Sequence, residues 1–353
     1  MGDPILPRSW LRAAVRAVAP YVPGEQPEPG HRVIKLNTNE NPYPPSPRVL
    51  DALRAAIDGA LRLYPDPEAQ ALRRRASEVY GVPADHIMAG NGSDELLALL
   101  LRATIDPGDR VAFPVPTYSL YETLVAVQDG EVVHVAFPDD WSVPPALASA
   151  GARVTFLCNP NSPSGTAVPL DAVEALAREA RGIVVVDEAY VDFADGDALS
   201  LVGRLPNVVV LRTLSKSFSL AGLRAGLAFA HPELLVGLRT VKDSYNLNRL
   251  TQLAAEAALS DLPHMRANVA RIRATRARLA AGLGRLGYRV PESQANFVLA
   301  CRPGLDQAPV AAALAERGVL VRHFPTPRLR DALRITVGTD EETDVLLAHL
   351  AAS

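Results

Sequence analysis

The run Ile183-Val184-Val185-Val186-Asp187 decides the fold class, because an uninterrupted stretch of β-branched residues ends abruptly in an acid. Such near-continuous Val/Ile runs are typical of strands that are covered by helices on both faces of a parallel sheet. Other apolar runs recur along the chain, and segments with a helical pattern lie between them. We therefore predict an α/β domain with strands at residues 86–89, 110–113, 131–137, 154–158, 183–186 and 207–211.

The segments around these strands have the pattern of flanking helices. We predict helices at residues 48–62, 69–80, 93–104, 118–127 and 170–180. The chain before residue 48 is rich in proline, and we predict an extended arm there rather than a packed element, apart from a short helix near residues 10–18.

The sequence pattern changes after Asp243, and a long Arg-, Ala- and Leu-rich helix is predicted at residues 262–286. Strands at 297–300, 319–322 and 333–336 then alternate with helices at 308–317 and 341–351, which indicates a smaller α+β domain. For 353 residues we expect two closely associated domains. The predicted boundaries are an N-terminal arm at 1–47 that joins the small domain, a large domain at 48–261 and a small C-terminal domain at 262–353.

The composition excludes several classes of protein. Hydrophobic residues make up 48% of the chain and charged residues 21%, with a formal net charge of -3, which is typical of a soluble globular protein. That charge offers no basic surface for nucleic acid or for a membrane, and no apolar run is long enough to span a bilayer. The start of the chain does not resemble a secretory signal, and Cys158 and Cys301 do not suggest a disulfide framework or a zinc site, so we expect a cytoplasmic protein. The seven histidines lack metal-ligand spacing, so no metal is expected.

Lysine is unusually rare in this chain. Of the 36 Lys and Arg residues, only Lys35, Lys216 and Lys242 are lysines, so a site that retains lysine is a candidate for amine chemistry. Lys216 lies in the stretch Thr213-Leu214-Ser215-Lys216-Ser217, which follows an apolar strand. A desolvated lysine has a lowered pKa and attacks aldehydes. The alternative, an extended surface lysine, fits poorly with these small and apolar neighbours.

Two further motifs fall at the carboxyl ends of strands, where open α/β sheets bind ligands. Gly90-Asn91-Gly92-Ser93-Asp94 joins a strand to a helix N-terminus, which favours a phosphate, although alone it is more often only a turn. Asp187 is poorly solvated and therefore needs a cationic partner, although this motif alone slightly favours a helix cap or a buried ion pair. Together with Lys216 they match the three handles of pyridoxal-5′-phosphate (PLP): phosphate, ring nitrogen and aldehyde.

With these motifs the chain resembles the fold type I PLP-dependent aminotransferases, and within them most closely the histidinol-phosphate aminotransferase family. The similarity extends over nearly the whole chain. Its most specific matches are Leu36-Asn37-Thr38-Asn39-Glu40-Asn41-Pro42, Tyr64-Pro65-Asp66, Asp187-Glu188-Ala189-Tyr190, Thr213-Leu214-Ser215-Lys216 and the arginine pair Arg322 and Arg334.

The resemblance implies a role for each cofactor-binding residue. Lys216 would hold PLP as a Schiff base in the large domain and later move the substrate proton, while Asp187 would keep the ring nitrogen protonated. Tyr190 would bind the ring hydroxyl, and Tyr118 would stack on the ring. The residues implied to hold the phosphate are Gly92, Ser93, Asp94, Ser215 and Arg224, joined by Tyr64 from a neighbouring subunit, so that a homodimer would share its active sites.

The resemblance also implies a substrate-binding set of Tyr21, Asn39, Arg322 and Arg334, in which a guanidinium fork accepts a carboxylate or a phosphate. For Arg322 a surface ion pair is an equal alternative. Ser162 departs from the family pattern, because it replaces an asparagine that usually donates to the ring hydroxyl. Serine is shorter and reaches that hydroxyl only through water.

The predicted activity is amino transfer between glutamate/2-oxoglutarate and histidinol phosphate, a step of histidine biosynthesis. Three alternatives stay open at this point. They are an aromatic amino acid aminotransferase, a PLP lyase such as a threonine-phosphate decarboxylase, and a non-catalytic binding protein. All but the last predict small-molecule substrates, either a phosphorylated amino alcohol or an amino acid, and no nucleic acid or membrane partner.

Overall fold

The computed structural model describes residues 10–18, 24–27 and 33–352. The strands in these ranges are β1 (Ile34–Leu36), β2 (Ile87–Gly90), β3 (Arg110–Val115), β4 (Glu131–Ala136), β5 (Val154–Cys158), β6 (Ile183–Asp187), β7 (Val208–Thr213), β8 (Gly226–Phe229), β9 (Phe297–Cys301), β10 (Val319–His323) and β11 (Ala332–Thr336). The helices are α1 (Ala13–Ala17), α2 (Pro47–Ala56), α3 (Gln70–Tyr80), α4 (Ser93–Thr104), α5 (Leu120–Val127), α6 (Leu170–Glu179), α7 (Pro232–Val241), α8 (Arg249–Leu259), α9 (Leu262–Arg285), α10 (Ala308–Glu316) and α11 (Asp340–Ala351).

The larger sheet has seven strands in the order β2-β8-β7-β6-β5-β3-β4. Strand β8 is antiparallel to both of its neighbours, and all the other pairs are parallel. Cys158, Asp187 and Leu211 lie side by side in register, so the carboxyl ends of β5, β6 and β7 meet at one edge. The mostly parallel sheet confirms the predicted α/β class.

Both faces of this sheet are buried, as the composition of β6 predicts. Val184 and Val186 pack on one face with residues of α2, α3, α6 and α8, whereas Val185 packs on the other face with α4, α5 and α7. Full burial of a valine side chain contributes roughly 1.5–3 kcal/mol. Side chains that alternate between the two faces of β6 therefore bind both helical layers to the sheet. Asp187 lies at the end of this buried strand.

The smaller sheet has the order β1-β10-β11-β9. Strand β1 is parallel to β10, and the other pairs are antiparallel. Helices α9 and α11 cover this sheet, with Ile272, Leu279 and Leu346 fully buried against it. The domain boundaries remain a prediction, but the strand β1 shows that part of the N-terminal segment pairs with the small sheet.

Several predicted elements need correction. Residues 34–36 are not an unpacked arm, because they form β1 and Leu36 is buried. The predicted helix 48–62 ends at Ala56, and a separate 3₁₀ helix follows, capped by the Asp58 carboxylate, which accepts from the Ala60 N–H at 2.8 Å. Strand β8 and helices α7 and α8, which come between the lysine motif and the long helix, were not predicted from the sequence.

Strand β8 is hard to recognise because it has only four residues and begins with a glycine. Gly226 pairs with Gly90 of β2, and a Cβ atom there would lie 2.5 Å from the carbonyl carbon of Gly92 and 2.7 Å from the nitrogen of Ser93. Glycine therefore allows β8 to approach the turn that precedes α4. Among the described residues, none of the helices is both long and apolar enough to cross a membrane.

Candidate active site

A cavity of about 420 Å³ opens where the carboxyl ends of β5, β6 and β7 face β10 and β11 of the small sheet. It brings together most of the site residues predicted from sequence: Asn39, Ser93, Asp94, Tyr118, Ser162, Asp187, Tyr190, Ser215, Lys216, Arg224, Arg322 and Arg334. A second cavity of about 650 Å³, against Tyr80, Asp192 and Arg212, is lined by none of them. The size of that second cavity therefore does not make it the candidate site.

Lys216 lies largely within the protein in the loop after β7, and its side chain opens onto the cavity. Its Nζ donates to the carbonyl of Thr38 at 3.3 Å. Burial, and after it the positive charge of Arg334, lowers the pKa of Lys216 from 10.5 to about 8. About a tenth of such an amine is neutral at pH 7, which makes it a competent nucleophile toward an aldehyde.

The lysine loop is fixed by a side chain that the sequence analysis did not single out. The Asn41 amide donates to the carbonyl oxygens of Lys216 at 3.0 Å and of Ser217 at 3.2 Å. The hydroxyl of Ser217 also donates to the Asp192 carboxylate. The only sequence signal for Asn41 was its place in the quoted segment 36–42.

Asp187 is buried at the end of β6. The phenol of Tyr121 donates to its Oδ2 at 2.6 Å, and the N–H of Ala189 donates to its Oδ1 at 3.2 Å. Burial raises the pKa of Asp187 to about 6, and the Tyr121 hydrogen bond opposes that rise. A protonated ring nitrogen would supply the cation that such a desolvated carboxylate lacks.

Tyr121 was missed by the sequence analysis. It is fully buried, stacks on Phe156 with ring centroids 4.6 Å apart, and meets Tyr118 edge to face at 5.5 Å. The spacing of three residues between Tyr118 and Tyr121, near the start of α5, was the available signal, since it places both rings on one side of a helical turn.

Tyr190 follows Asp187 by three residues and is nearly buried. The Asn39 amide donates to its phenol oxygen at 3.0 Å, and its ring meets Phe297 edge to face at 4.9 Å. Burial raises the pKa of Tyr190 to about 12, so the phenol keeps its proton at neutral pH. The amide of Asn39, a residue predicted to bind substrate, thus donates to this tyrosine.

The turn before α4 has a geometry that could hold a phosphate. Gly92 has φ of 85°, which glycine adopts without strain, and the first-turn N–H groups of α4 have no helical acceptor. Arg224 reaches this turn, where its Nη2 lies 3.0 Å from Asp94 Oδ2 and its Nη1 donates to Ser215 Oγ at 3.5 Å. Asp94 would help a phosphate through its backbone N–H, because its carboxylate repels an anion.

The opposite wall of the cavity carries two arginines. Arg322 and Arg334 are directly opposite each other in the antiparallel pair of β10 and β11, and both guanidinium groups contact Phe324, at 5.3 and 5.5 Å from the ring centroid. Like charges in opposed positions destabilise a sheet. An anion bound between them would offset that cost, so the arrangement favours an anionic substrate.

Ser162 lies in the cavity, and its hydroxyl has a partner within the chain. Arg334 donates from Nη1 to the Ser162 hydroxyl at 3.3 Å and from Nη2 to the carbonyl of Asn37 at 2.8 Å. The hydroxyl therefore contacts the substrate-side arginine, and its water-mediated contact with the cofactor ring stays a prediction.

Among the described residues, Gly92 and Tyr64 are the two predicted site residues that do not line the cavity of their own chain. Tyr64 is 80% exposed and stacks on Tyr245 with ring centroids 4.3 Å apart. Tyr21 lies outside the described residues. In the described ranges no cluster of three or more His, Cys, Asp or Glu side chains could hold a metal ion.

Residues 31–350 match the protein family described as aminotransferase class I and II. This chain belongs to that family. The aminotransferase is 47% identical over 343 residues to histidinol-phosphate aminotransferase 1 of Nostoc sp., with 97% of each chain covered. It is 46% identical over 343 residues to histidinol-phosphate aminotransferase of Geobacter sulfurreducens, covering 96% of this chain and 98% of the relative.

The solved structure of histidinol-phosphate aminotransferase from Sinorhizobium meliloti in complex with pyridoxal-5′-phosphate superposes on this aminotransferase with a TM-score of 0.89. The two are 28% identical, and 98% of this chain and 97% of the other are covered. The predicted fold type I architecture and aminotransferase activity are thereby confirmed.

Proposed function

We propose that this aminotransferase uses PLP bound through Lys216 and transfers an amino group between histidinol phosphate and 2-oxoglutarate, in histidine biosynthesis. One observation carries the proposal. A weakly basic lysine, a buried carboxylate and a helix N-terminus line one cavity, and two opposed arginines face them across it. These residues fit the aldehyde, the ring nitrogen and the phosphate of PLP, and both relatives described above are named histidinol-phosphate aminotransferases.

PLP, when bound, supplies an aldehyde that condenses with amines and a ring that withdraws electrons from the substrate. The chain supplies the rest. The Lys216 amine would move the proton from the substrate Cα to the C4′ carbon of the cofactor, and its low pKa suits both transfers near neutral pH. Asp187 holds a proton on the ring nitrogen, and the Tyr190 phenol donates to the ring oxygen.

The two arginines explain how one pocket accepts two different substrates. In the proposed cycle glutamate leaves as 2-oxoglutarate before the phosphorylated substrate enters. Arg334 and Arg322 would bind a carboxylate in the first half and a phosphate in the second, because a guanidinium fork matches both anions. The paired charges favour a substrate with a phosphate or with two carboxylates, as in histidinol phosphate and glutamate, over an aromatic amino acid with one carboxylate.

We also infer that the active enzyme is a homodimer in which Tyr64 reaches the cofactor phosphate of the neighbouring subunit. The support is an exposed apolar surface: Leu61 and Leu63 are about half exposed, and Tyr64 and Tyr245 form an exposed aromatic stack. Such a patch is typical of a protein interface. We place the enzyme in the cytoplasm, where its unpaired Cys158 and Cys301 would stay reduced.

A panel of half-reactions tests the function. Protein loaded with PLP is mixed separately with histidinol phosphate, glutamate, phenylalanine and threonine phosphate, and the cofactor spectrum is followed. Histidinol phosphate and glutamate should convert the cofactor to its amine form fastest. Faster conversion by phenylalanine would assign an aromatic aminotransferase, and release of carbon dioxide from threonine phosphate would assign a lyase.

Matched lysine variants test the anchor. Lys216→Arg keeps the charge but removes the amine that joins an aldehyde, so it should abolish the visible absorbance of bound cofactor and the turnover. Lys242→Arg is the control, because Lys242 donates to surface carbonyl groups such as that of Pro67 at 3.0 Å. Retention of colour and turnover in Lys216→Arg would refute the assignment of this lysine.

A further inference from the structure

The feature that carries this inference is Asn39, a buried residue with a backbone conformation that most side chains avoid. Its φ is 57°, in the left-handed region, and its exposure is only 1%. A non-glycine residue is strained there, and asparagine is among the residues that tolerate this region best. Such strain persists only where surrounding contacts hold it.

Those contacts come from the small sheet. The N–H of Asn39 donates to the Thr336 hydroxyl at 2.9 Å, and that hydroxyl donates to Asn39 Oδ1 at 3.1 Å. The amide of Asn296, just before β9, donates to the Asn39 carbonyl at 2.9 Å. Thr336 and Asn296 are both buried. Only the amide nitrogen Nδ2 is left to act outside this network, and it points to Tyr190.

The direction of that hydrogen bond matters because a phenol has a single proton. Nδ2 of an amide is only a donor, so the Tyr190 oxygen must accept from Asn39. The assignment of Nδ2 follows from Oδ1 being the acceptor of the Thr336 hydroxyl. The proton of Tyr190 is therefore free to point into the cavity rather than into the protein.

We propose that Asn39 is a positioning residue that directs the Tyr190 hydroxyl proton toward the ring oxygen of the cofactor. Because the small sheet holds Asn39 in place, the position of that sheet determines the direction of the proton. The inference rests on the proposed function, since it presumes PLP in the cavity. It gives Asn39 a role distinct from direct substrate binding. Tyr190 follows β6 of the large sheet, so the bond also joins the two sheets across the active site.

Two substitutions separate donation from packing. Asn39→Gly suits the positive φ and deletes the donor, which leaves the phenol able to rotate. Asn39→Asp keeps the shape but replaces the donor by an acceptor, so the phenol would donate to the new carboxylate and turn away from the cavity. Asn207→Gly is the control, because that amide donates to the carbonyls of Ala177 and Gly182, away from the cavity.

The first readout is the dissociation constant of PLP, measured by titrating each protein after its cofactor has been removed. A typical hydrogen bond corresponds to a change of about two- to tenfold. Asn39→Gly should weaken binding by about fivefold and Asn39→Asp by more, whereas Asn207→Gly should match the wild type. In a Tyr190→Phe background, Asn39→Gly should have no added effect, because the group on which it acts is gone.

The second readout is the pH midpoint of the visible absorbance of the bound cofactor. A donor on the ring oxygen favours the deprotonated form, so its loss should move the midpoint to higher pH in Asn39→Asp and in Tyr190→Phe. Equal weakening by Asn39→Gly with and without Tyr190, or an unmoved midpoint in Asn39→Asp, would overturn the role of Asn39. A wild-type protein that binds no PLP would instead defeat the proposed function itself.

Discussion

Removing one oxygen atom from Tyr121 should change the charge of Asp187. Tyr121→Phe deletes the phenol that donates to Asp187 Oδ2 at 2.6 Å and leaves the stacked ring in place. A hydrogen bond to a charged group contributes about 1.5–3 kcal/mol, and each pKa unit corresponds to about 1.4 kcal/mol. The pKa of Asp187, already raised to about 6 by burial, should therefore rise by about one to two units.

The pKa of Asp187 can be followed by carbon-13 NMR of labelled aspartate in the cofactor-free protein, with the Asp187→Asn variant identifying the signal. At about pH 7 between about half and nine-tenths of the Asp187 carboxyl in Tyr121→Phe should be protonated. PLP should then bind more weakly at neutral pH and recover at alkaline pH, where the carboxylate ionises again.

Tyr288→Phe is a matched control, because Tyr288 is also buried and donates to Gln307 at 3.2 Å, but within the small-sheet region. Its removal should leave the Asp187 titration unchanged. If Tyr121→Phe titrates as the wild type does, the phenol does not hold Asp187 in its ionised form, and burial alone would set that pKa.

Three further predictions concern stability, substrate choice and assembly. Lys216→Met should stabilise the cofactor-free protein by about 3 kcal/mol in denaturant unfolding. Folding lowers the lysine pKa from 10.5 to about 8, and this costs free energy at any pH where the lysine is protonated in both states. The gain should be full below about pH 8 and vanish above about pH 10.5; no gain at neutral pH would contradict the lysine's desolvation. Arg322→Ala should reduce kcat/KM for histidinol phosphate at least about tenfold more than for phenylalanine, since a hydrogen bond to a charged group contributes about 1.5–3 kcal/mol. Equal losses would argue against phosphate binding there. Tyr64→Ala should weaken PLP binding, and the loss should be larger where more of the protein is dimeric. PLP titration gives the affinity and sedimentation gives the fraction of dimer. Unchanged PLP affinity in an intact dimer would remove Tyr64 from the shared site.

The sequence predicted those site residues whose positions follow from the ends of strands. Asp187 ends a valine run and Lys216 follows the next strand, so a parallel sheet brings them to one edge. The turn at Gly92 was recognised for the same reason, since a glycine-rich link between a strand and a helix has a defined geometry. In each case the sequence signal is local, and the parallel sheet brings the local segments together.

The groups that tune these residues could not be predicted in the same way. Tyr121 is 66 positions from Asp187, and Asn39 is 151 positions from Tyr190. Their contacts depend on how α5 and the N-terminal segment pack, which no local pattern encodes. The observed partner of Ser162 belongs to this group as well, because Arg334 arrives from the small sheet.

The short strand β8 has a consequence for how mutations in this enzyme should be read. Gly226 contacts no ligand in the proposed mechanism, yet even a methyl group there would collide with the backbone of Gly92 and Ser93. A mutational screen should therefore find Gly226 as intolerant of substitution as Lys216 and Asp187, although glycine contributes no chemical group to the reaction. The turn at the phosphate end of the pocket keeps its shape because Gly226 in the neighbouring strand has no side chain. Substitutions at Gly226 should therefore damage the enzyme through the shape of that turn.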